Sequence, residues 1–145
     1  MNKIFYDYKT FTDDVKTIGN QISGKVDSIV AISRGGLTLA HFLGEYLDIR
    51  QVYAINTISY NGEQKLKDIK IFGIPNLEDS KNVIVVDDIS DSGRTLKNVM
   101  QKLKEKYPKI QFSTATIFYN EKTVFKPNIY IRKSEKWIDF FWEKF

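Results

Sequence analysis

Cysteine is absent from the 145 residues, and histidine occurs once, as His41. Without cysteine there are no disulfides, no thiol nucleophile and no thiolate metal site, a usage compatible with a reducing compartment. A lone histidine cannot build a multi-histidine metal site, and His41, within an apolar-spaced segment, is read as structural. No apolar run approaches the roughly 20 residues of a membrane span, and the start Met1-Asn2-Lys3-Ile4-Phe5-Tyr6 lacks a signal-peptide core. A cytoplasmic protein with no stable membrane insertion is expected. Dense basic blocks are missing as well. The net charge of +4 comes mostly from lysines spread along the chain, an excess that does not call for nucleic acid and would steer an anionic small molecule equally well. Repeats, low-complexity tracts and linkers are also lacking, so residues 1–145 are expected to form a single domain.

What is present centres on the stretch from Val83 to Thr95. Val83-Ile84-Val85-Val86 is an unbroken β-branched run, the pattern of a short strand buried on both faces of a parallel sheet. Two carboxylates, Asp87 and Asp88, stand at its carboxyl end. Ile89-Ser90-Asp91-Ser92-Gly93-Arg94-Thr95 then forms a small, hydroxyl-rich turn before Leu96, Val99, Met100 and Leu103 resume at helical spacing. A turn that opens a helix presents unpartnered N–H groups and the positive end of the helix dipole, which favours a phosphate. Ser92 and Thr95 add hydroxyl donors, and Gly93 permits close backbone approach. Asp91 suits a helix N-cap. The acidic pair can accept hydrogen bonds from sugar hydroxyls or help hold Mg²⁺. The implied ligand carries a phosphate and a diol a few ångströms apart.

A second cradle lies upstream. Ser28 to Ser33 reads as a core strand delivering the chain into Arg34-Gly35-Gly36, a cation and two permissive positions at the start of a helix over Leu37, Ala40, Leu43 and Leu47. Gln51 to Ile58 reads as the next strand, which completes a βαβ unit. Before these, Thr10 with Asp13 looks like a capping pattern for a helix over Phe11, Val15, Ile18 and Ile22. Ser59 to Lys70 reads as an exposed hairpin or lid, Asn61-Gly62 being its turn signal. Ile110 to Phe118 and Asn128 to Ile131 are two further strands, and the chain closes on Trp137-Ile138-Asp139-Phe140-Phe141-Trp142-Glu143. Alternating strands and helices predict an α/β fold with an open, mostly parallel sheet flanked by helices. Both cradles then lie at strand ends and share one cleft.

The thirteen residues from Val83 to Thr95 resemble the signature of the type I phosphoribosyltransferases. The match extends over most of the chain, and Trp-Ile-x-Phe-x-Trp-Glu at the carboxyl end resembles bacterial and archaeal xanthine/guanine-type members. The resemblance implies phosphoribosyl pyrophosphate and a 6-oxopurine (guanine, xanthine or hypoxanthine) as substrates, Mg²⁺ as cofactor, and a small C-terminal hood over the base. It implies that Ser33, Arg34, Gly35 and Gly36 form the pyrophosphate loop, with a cis peptide after Ser33 or after Arg34. Ser92, Gly93, Arg94 and Thr95 would hold the 5-phosphate. Asp87, Asp88 and Asp91 would be the catalytic acids, Asp88 would face the metal, and Asp91 would lie under the base and the ribosyl carbon. Ser59 and Tyr60 would begin the mobile loop, Trp137 would stack on the purine and the main chain of Ile138 would face its edge. One position departs from the family pattern. Where 6-oxopurine members carry a lysine after the fourth core strand, this chain has Asn120, so either Asn120 donates through its amide or Lys122 reaches in. A homodimer or homotetramer is expected by analogy. Two rivals remain: a non-catalytic regulator that senses phosphoribosyl pyrophosphate, and a receiver-like domain, which would expect its acidic pair after the first strand.

Overall fold

The strand predicted from Val83 onward lies between two others at the centre of a sheet, and its alternation explains its composition. Ile84 and Val86 face one apolar layer while Val83 and Val85 face the other, all fully buried. The structure is a computed structural model that describes residues 3–59 and 69–145. Its elements in chain order are β1 (Lys3–Tyr6), α1 (Tyr8–Ile22), β2 (Ser28–Ser33), α2 (Leu37–Leu47), β3 (Val52–Ser59), β4 (Ile69–Phe72), β5 (Asn82–Ser90), α3 (Arg94–Lys106), β6 (Gln111–Tyr119), β7 (Ile129–Lys133) and β8 (Trp137–Phe140). A short 3-10 turn follows at Phe141–Glu143.

The main sheet runs β4-β3-β2-β5-β6-β7, parallel throughout except for β4, which pairs antiparallel with β3. Helices α1 and α2 pack on the face carrying Ile29, Ala31, Ile84 and Val86. Helix α3 covers the opposite face through Leu96, Val99, Met100 and Leu103. This is the expected helix-flanked α/β sheet, and β2 and α2 cover the residues their periodicity predicts.

A two-stranded parallel ribbon, β1 with β8, stands apart from the main sheet, with Lys3 opposite Trp137 and Tyr6 opposite Phe140. Tyr6 locks this hood onto the body. Its ring lies edge-on to Phe118 and Phe140 at centroid distances of 5.2 and 5.7 Å. Its hydroxyl donates to Asp14 Oδ2 at 2.5 Å, while Arg132 donates to both Asp14 oxygens at 2.9 and 3.1 Å. One carboxylate thus ties β1, α1 and β7 together.

Three local expectations change. The cap of α1 is Asp7, whose Oδ1 accepts from Thr10 N at 2.8 Å, so the helix begins at Tyr8 and Thr10 donates to the cap instead of being one. Strand β5 runs on through Asp87 and Asp88 to Ser90, because Asp87, Ile89 and Ser90 stay in register with Thr116, Phe118 and Tyr119 of β6. The acidic pair therefore lies within the strand's last turns. In the hairpin, Ser59 pairs with Ile69, whereas Asn61-Gly62 lies outside the described residues.

Candidate functional site

Both cradles sit where parallel strands end and helices begin. The Ser33–Arg34 peptide is cis, Gly36 N donates to Ile32 O at 2.8 Å, and α2 starts at Leu37 with no side chain capping it. Gly36 is required by close approach, since a Cβ there would strike the main chain at Val86 O, Asp87 Cα and Ile32 O, while Gly35 lies against the Asp88 carboxylate. The second cradle follows β5. Gly93, not Asp91, occupies the N-cap of α3, in a left-handed conformation with φ of 83°. A Cβ at Gly93 would also strike Thr123 Oγ1. Ser92 Oγ accepts from Arg94 N at 3.3 Å, and Thr95 lies in the first turn. Neither α2 nor α3 has a side-chain N-cap hydrogen bond, in contrast to α1 with Asp7, so both present open N–H groups to an anion.

Between the cradles stands the acidic pair. Asp87 Oδ1 accepts the main-chain N–H of Asp88 at 2.9 Å. Burial, and then the charge of Asp88, push the Asp87 carboxyl well above the ordinary range. Burial also raises Asp88, with the nearby Glu143 carboxylate adding to it. A partner bringing hydroxyl donors or positive charge would offset this strain on the ionised forms.

Two cavities open on Asp88. One, of about 380 Å³, is bordered by Asp88, Ile89, Asp91, Lys136, Trp137 and Ile138 among others. The other, of about 540 Å³, is bordered by Arg34, Gly35, Leu37, Thr38 and Trp142. Asp88 and Glu143 line both. Asp91 has a role no spacing argument exposed: its Oδ1 accepts from Asn120 Nδ2 at 3.1 Å, tying the phosphate turn to the end of β6. Trp137 is 65% exposed beside the buried Ile138, leaving an open aromatic surface at the mouth of the first cavity.

A scan against family models matches residues 5–144 to the phosphoribosyl transferase domain. The chain belongs to this family. Among curated relatives, the xanthine-guanine phosphoribosyltransferase of Roseobacter denitrificans is 31% identical over 125 residues, covering 80% of this chain and 68% of the relative. Of the solved structures, the xanthine-guanine-hypoxanthine phosphoribosyltransferase of Helicobacter pylori is 37% identical with a TM-score of 0.91, covering 99% of this chain and 95% of that one. A purine phosphoribosyltransferase from Pyrococcus horikoshii is 29% identical with a TM-score of 0.86, covering 100% and 96%.

Of the phosphoribosyltransferase positions foreseen in the sequence, Arg34, Gly35, Asp88, Asp91, Asn120, Trp137 and Ile138 border one cavity or the other, whereas Ser33, Gly36, Asp87, Ser92, Gly93, Arg94 and Thr95 line neither. Nor does Lys122. It is exposed and outside both cavities, and only its main-chain N–H meets the site's edge, donating to Asn120 Oδ1 at 3.0 Å. Ser59 lies exposed at the carboxyl end of β3, the same end of the sheet as Ser33, but lines neither cavity; Tyr60 is outside the described residues, and His41 is exposed on α2 away from both cavities. Sequence reasoning missed Ile89, Lys136 and Glu143. Ile89 could have been found as the residue following the acidic pair; nothing local distinguishes Lys136 from the other surface lysines.

The described residues contain no cluster of three or more acidic or histidine groups suited to hold a metal. The chain can offer Asp88 and Glu143, one or two carboxylates with room beside them. That suits Mg²⁺, which keeps several waters and binds through few carboxylates plus substrate phosphates.

Proposed function

We propose that the protein transfers ribose 5-phosphate from phosphoribosyl pyrophosphate to a 6-oxopurine, guanine, xanthine or hypoxanthine, and releases pyrophosphate. The observation that carries this reading is Asp88 on the wall common to both cavities, with Arg34 and Gly35 on one side and Asp91 and Trp137 on the other. A donor whose pyrophosphate lies in the first loop would place its ribose over the acidic pair and its C1 toward the aromatic platform. The names of the relatives support a purine as acceptor.

In this scheme the open N–H groups of α3 with Ser92 and Thr95 bind the 5-phosphate, and Arg34 with the start of α2 binds pyrophosphate. Asp87 and Asp88 accept hydrogen bonds from the ribose diol. Mg²⁺ bound with the donor and held at Asp88 would neutralise charge on the departing pyrophosphate. The C1–oxygen bond breaks with its electron pair leaving on pyrophosphate, and a purine ring nitrogen forms the new bond to C1. Asp91, oriented by Asn120, offsets positive charge developing at the ribosyl carbon and receives the proton lost by that nitrogen. Trp137 stacks on the base, a contact worth about 1–3 kcal/mol.

The test is pyrophosphate release in the presence of Mg²⁺, phosphoribosyl pyrophosphate and each of guanine, xanthine, hypoxanthine, adenine and uracil. Turnover with at least one 6-oxopurine is expected. Tight donor binding with no release for any base would overturn the reading in favour of a sensor of phosphoribosyl pyrophosphate.

A further inference from the structure

An oxo group at the 6-position of a purine is an acceptor, and a site that prefers it to an amino group needs a donor there, most effectively a charged one. The first cavity is poor in such groups. Asp88, Asp91, Glu135 and Glu143 give it four carboxylates. Asn120 is neutral, with one Nδ2 hydrogen donated to Asp91 and its Oδ1 accepting from the main chain of Lys122, so it brings no charge. The cations of the neighbouring segments are mostly directed elsewhere. Arg132 is bound to Asp14. Lys133 pairs with Glu121. Lys126 lies over the rings of Tyr119 and Tyr130, at 5.3 and 4.9 Å. Lys122 does not line the cavity.

Lys136 is the exception. It borders the cavity, precedes Trp137 directly, and among the described residues makes no ion pair or side-chain hydrogen bond. Its segment enters the cavity beside Asn120, because Ser134 N donates to Tyr119 O at 2.8 Å where β6 and β7 end together.

We infer that Lys136 is the specificity-determining residue that selects a 6-oxo over a 6-amino purine, its ammonium supplying from the β7–β8 connection the charge that Asn120 does not bring. The inference rests on the purine reading above. A charge-assisted hydrogen bond of this kind corresponds to roughly a ten- to hundred-fold effect.

The experiment compares the wild type with Lys136→Ala, Lys136→Gln and Lys136→Arg. In Lys136→Ala and Lys136→Gln, KM for the 6-oxopurine should rise roughly ten- to a hundred-fold while KM for phosphoribosyl pyrophosphate stays within twofold; Lys136→Arg should keep the larger share of selectivity. Because Lys136 is exposed, thermal midpoints should not move. Calorimetry with guanosine 5′-monophosphate and adenosine 5′-monophosphate gives a second measure independent of turnover. Lys136→Ala should weaken the guanosine nucleotide far more than the adenosine one. Equal weakening of both nucleotides, or an unchanged KM for the base, would overturn the inference. A wild type that binds the guanosine nucleotide selectively through Lys136 yet releases no pyrophosphate would overturn the transferase reading and leave the role of Lys136 standing.

Discussion

Asp14 is buried and the Asp87–Asp88 pair half-buried, and their surroundings treat them in opposite ways. Asp14 is 4% exposed and fully engaged, with the Tyr6 hydroxyl and two Arg132 donors on its oxygens. Burial and the hydrogen bond to Asp14 raise the Tyr6 hydroxyl, so the phenol stays protonated and continues to donate. Asp87 and Asp88 have no cation beside them among the described residues, and burial holds both carboxyls above the usual range. One carboxylate has its charge answered inside the fold. The other two wait for donors from outside, as groups that bind a ligand do.

The helix starts repeat the contrast. Asp7 caps α1, which lies under the hood, while α2 and α3 begin at glycines that offer no capping side chain, and at α3 only the Arg94 N–H is taken, at 3.3 Å, by Ser92 Oγ.

Breaking the satisfied side should have the largest effect. Asp14→Ala leaves the buried Tyr6 hydroxyl and the guanidinium of Arg132 without their acceptor. Because the Arg132 side chain is 43% exposed, the loss should fall below that for a fully buried pair, at about 2–3 kcal/mol by urea unfolding. A loss under about 0.5 kcal/mol would show that the triad does not hold the hood. The open side should respond with the opposite sign. Asp87→Asn removes one of two adjacent like charges, so the ligand-free thermal midpoint should rise by about 2–4 °C, as about 1 kcal/mol does in a domain of this size, while turnover falls. A lower midpoint would mean that the pair is satisfied after all.

The smallest effect is expected at Asp27, an exposed carboxylate answered by main-chain donors. Although its slight burial works against ionisation, the N–H groups of Asn82 and Lys81, at 2.9 and 3.0 Å, and the Ser28 hydroxyl hold its pKa below the usual value. Its contribution is therefore present above the ordinary carboxylate range and is lost as pH falls through the depressed value. Asp27→Ala should cost up to about 1 kcal/mol at pH 7, and the difference from wild type should close on acidification toward pH 3.

The parallel core was legible because its strands are buried on both faces and therefore read as unbroken apolar runs at Ser28–Ser33 and Val83–Val86. The two cradles were legible because glycines, hydroxyls and carboxylates cluster where those runs stop. The reach of β5 past Asp87 was not, since polar residues at a strand end look like a loop until the β6 ladder is known. Asp7 and Thr10 offered competing caps, and only geometry chose between them. Lys136 had no signal at all: it shares a cavity with Asn120, far from it in sequence, and its place depends on how β6 and β7 end together.

The ribbon of β1 with β8 joins Lys3 to Trp137, so nearly the whole chain lies between its two strands. On a ribosome, β1 would emerge long before its partner, carrying Ile4 and Phe5 uncovered while the main sheet assembles. The donor cradles, built from residues 33–36 and 91–95, can be complete at a stage when the acceptor platform has not yet been synthesised. The aromatic wall is thus the last part of the site to form, and loop closure over that distance makes its arrival the step most exposed to competing contacts.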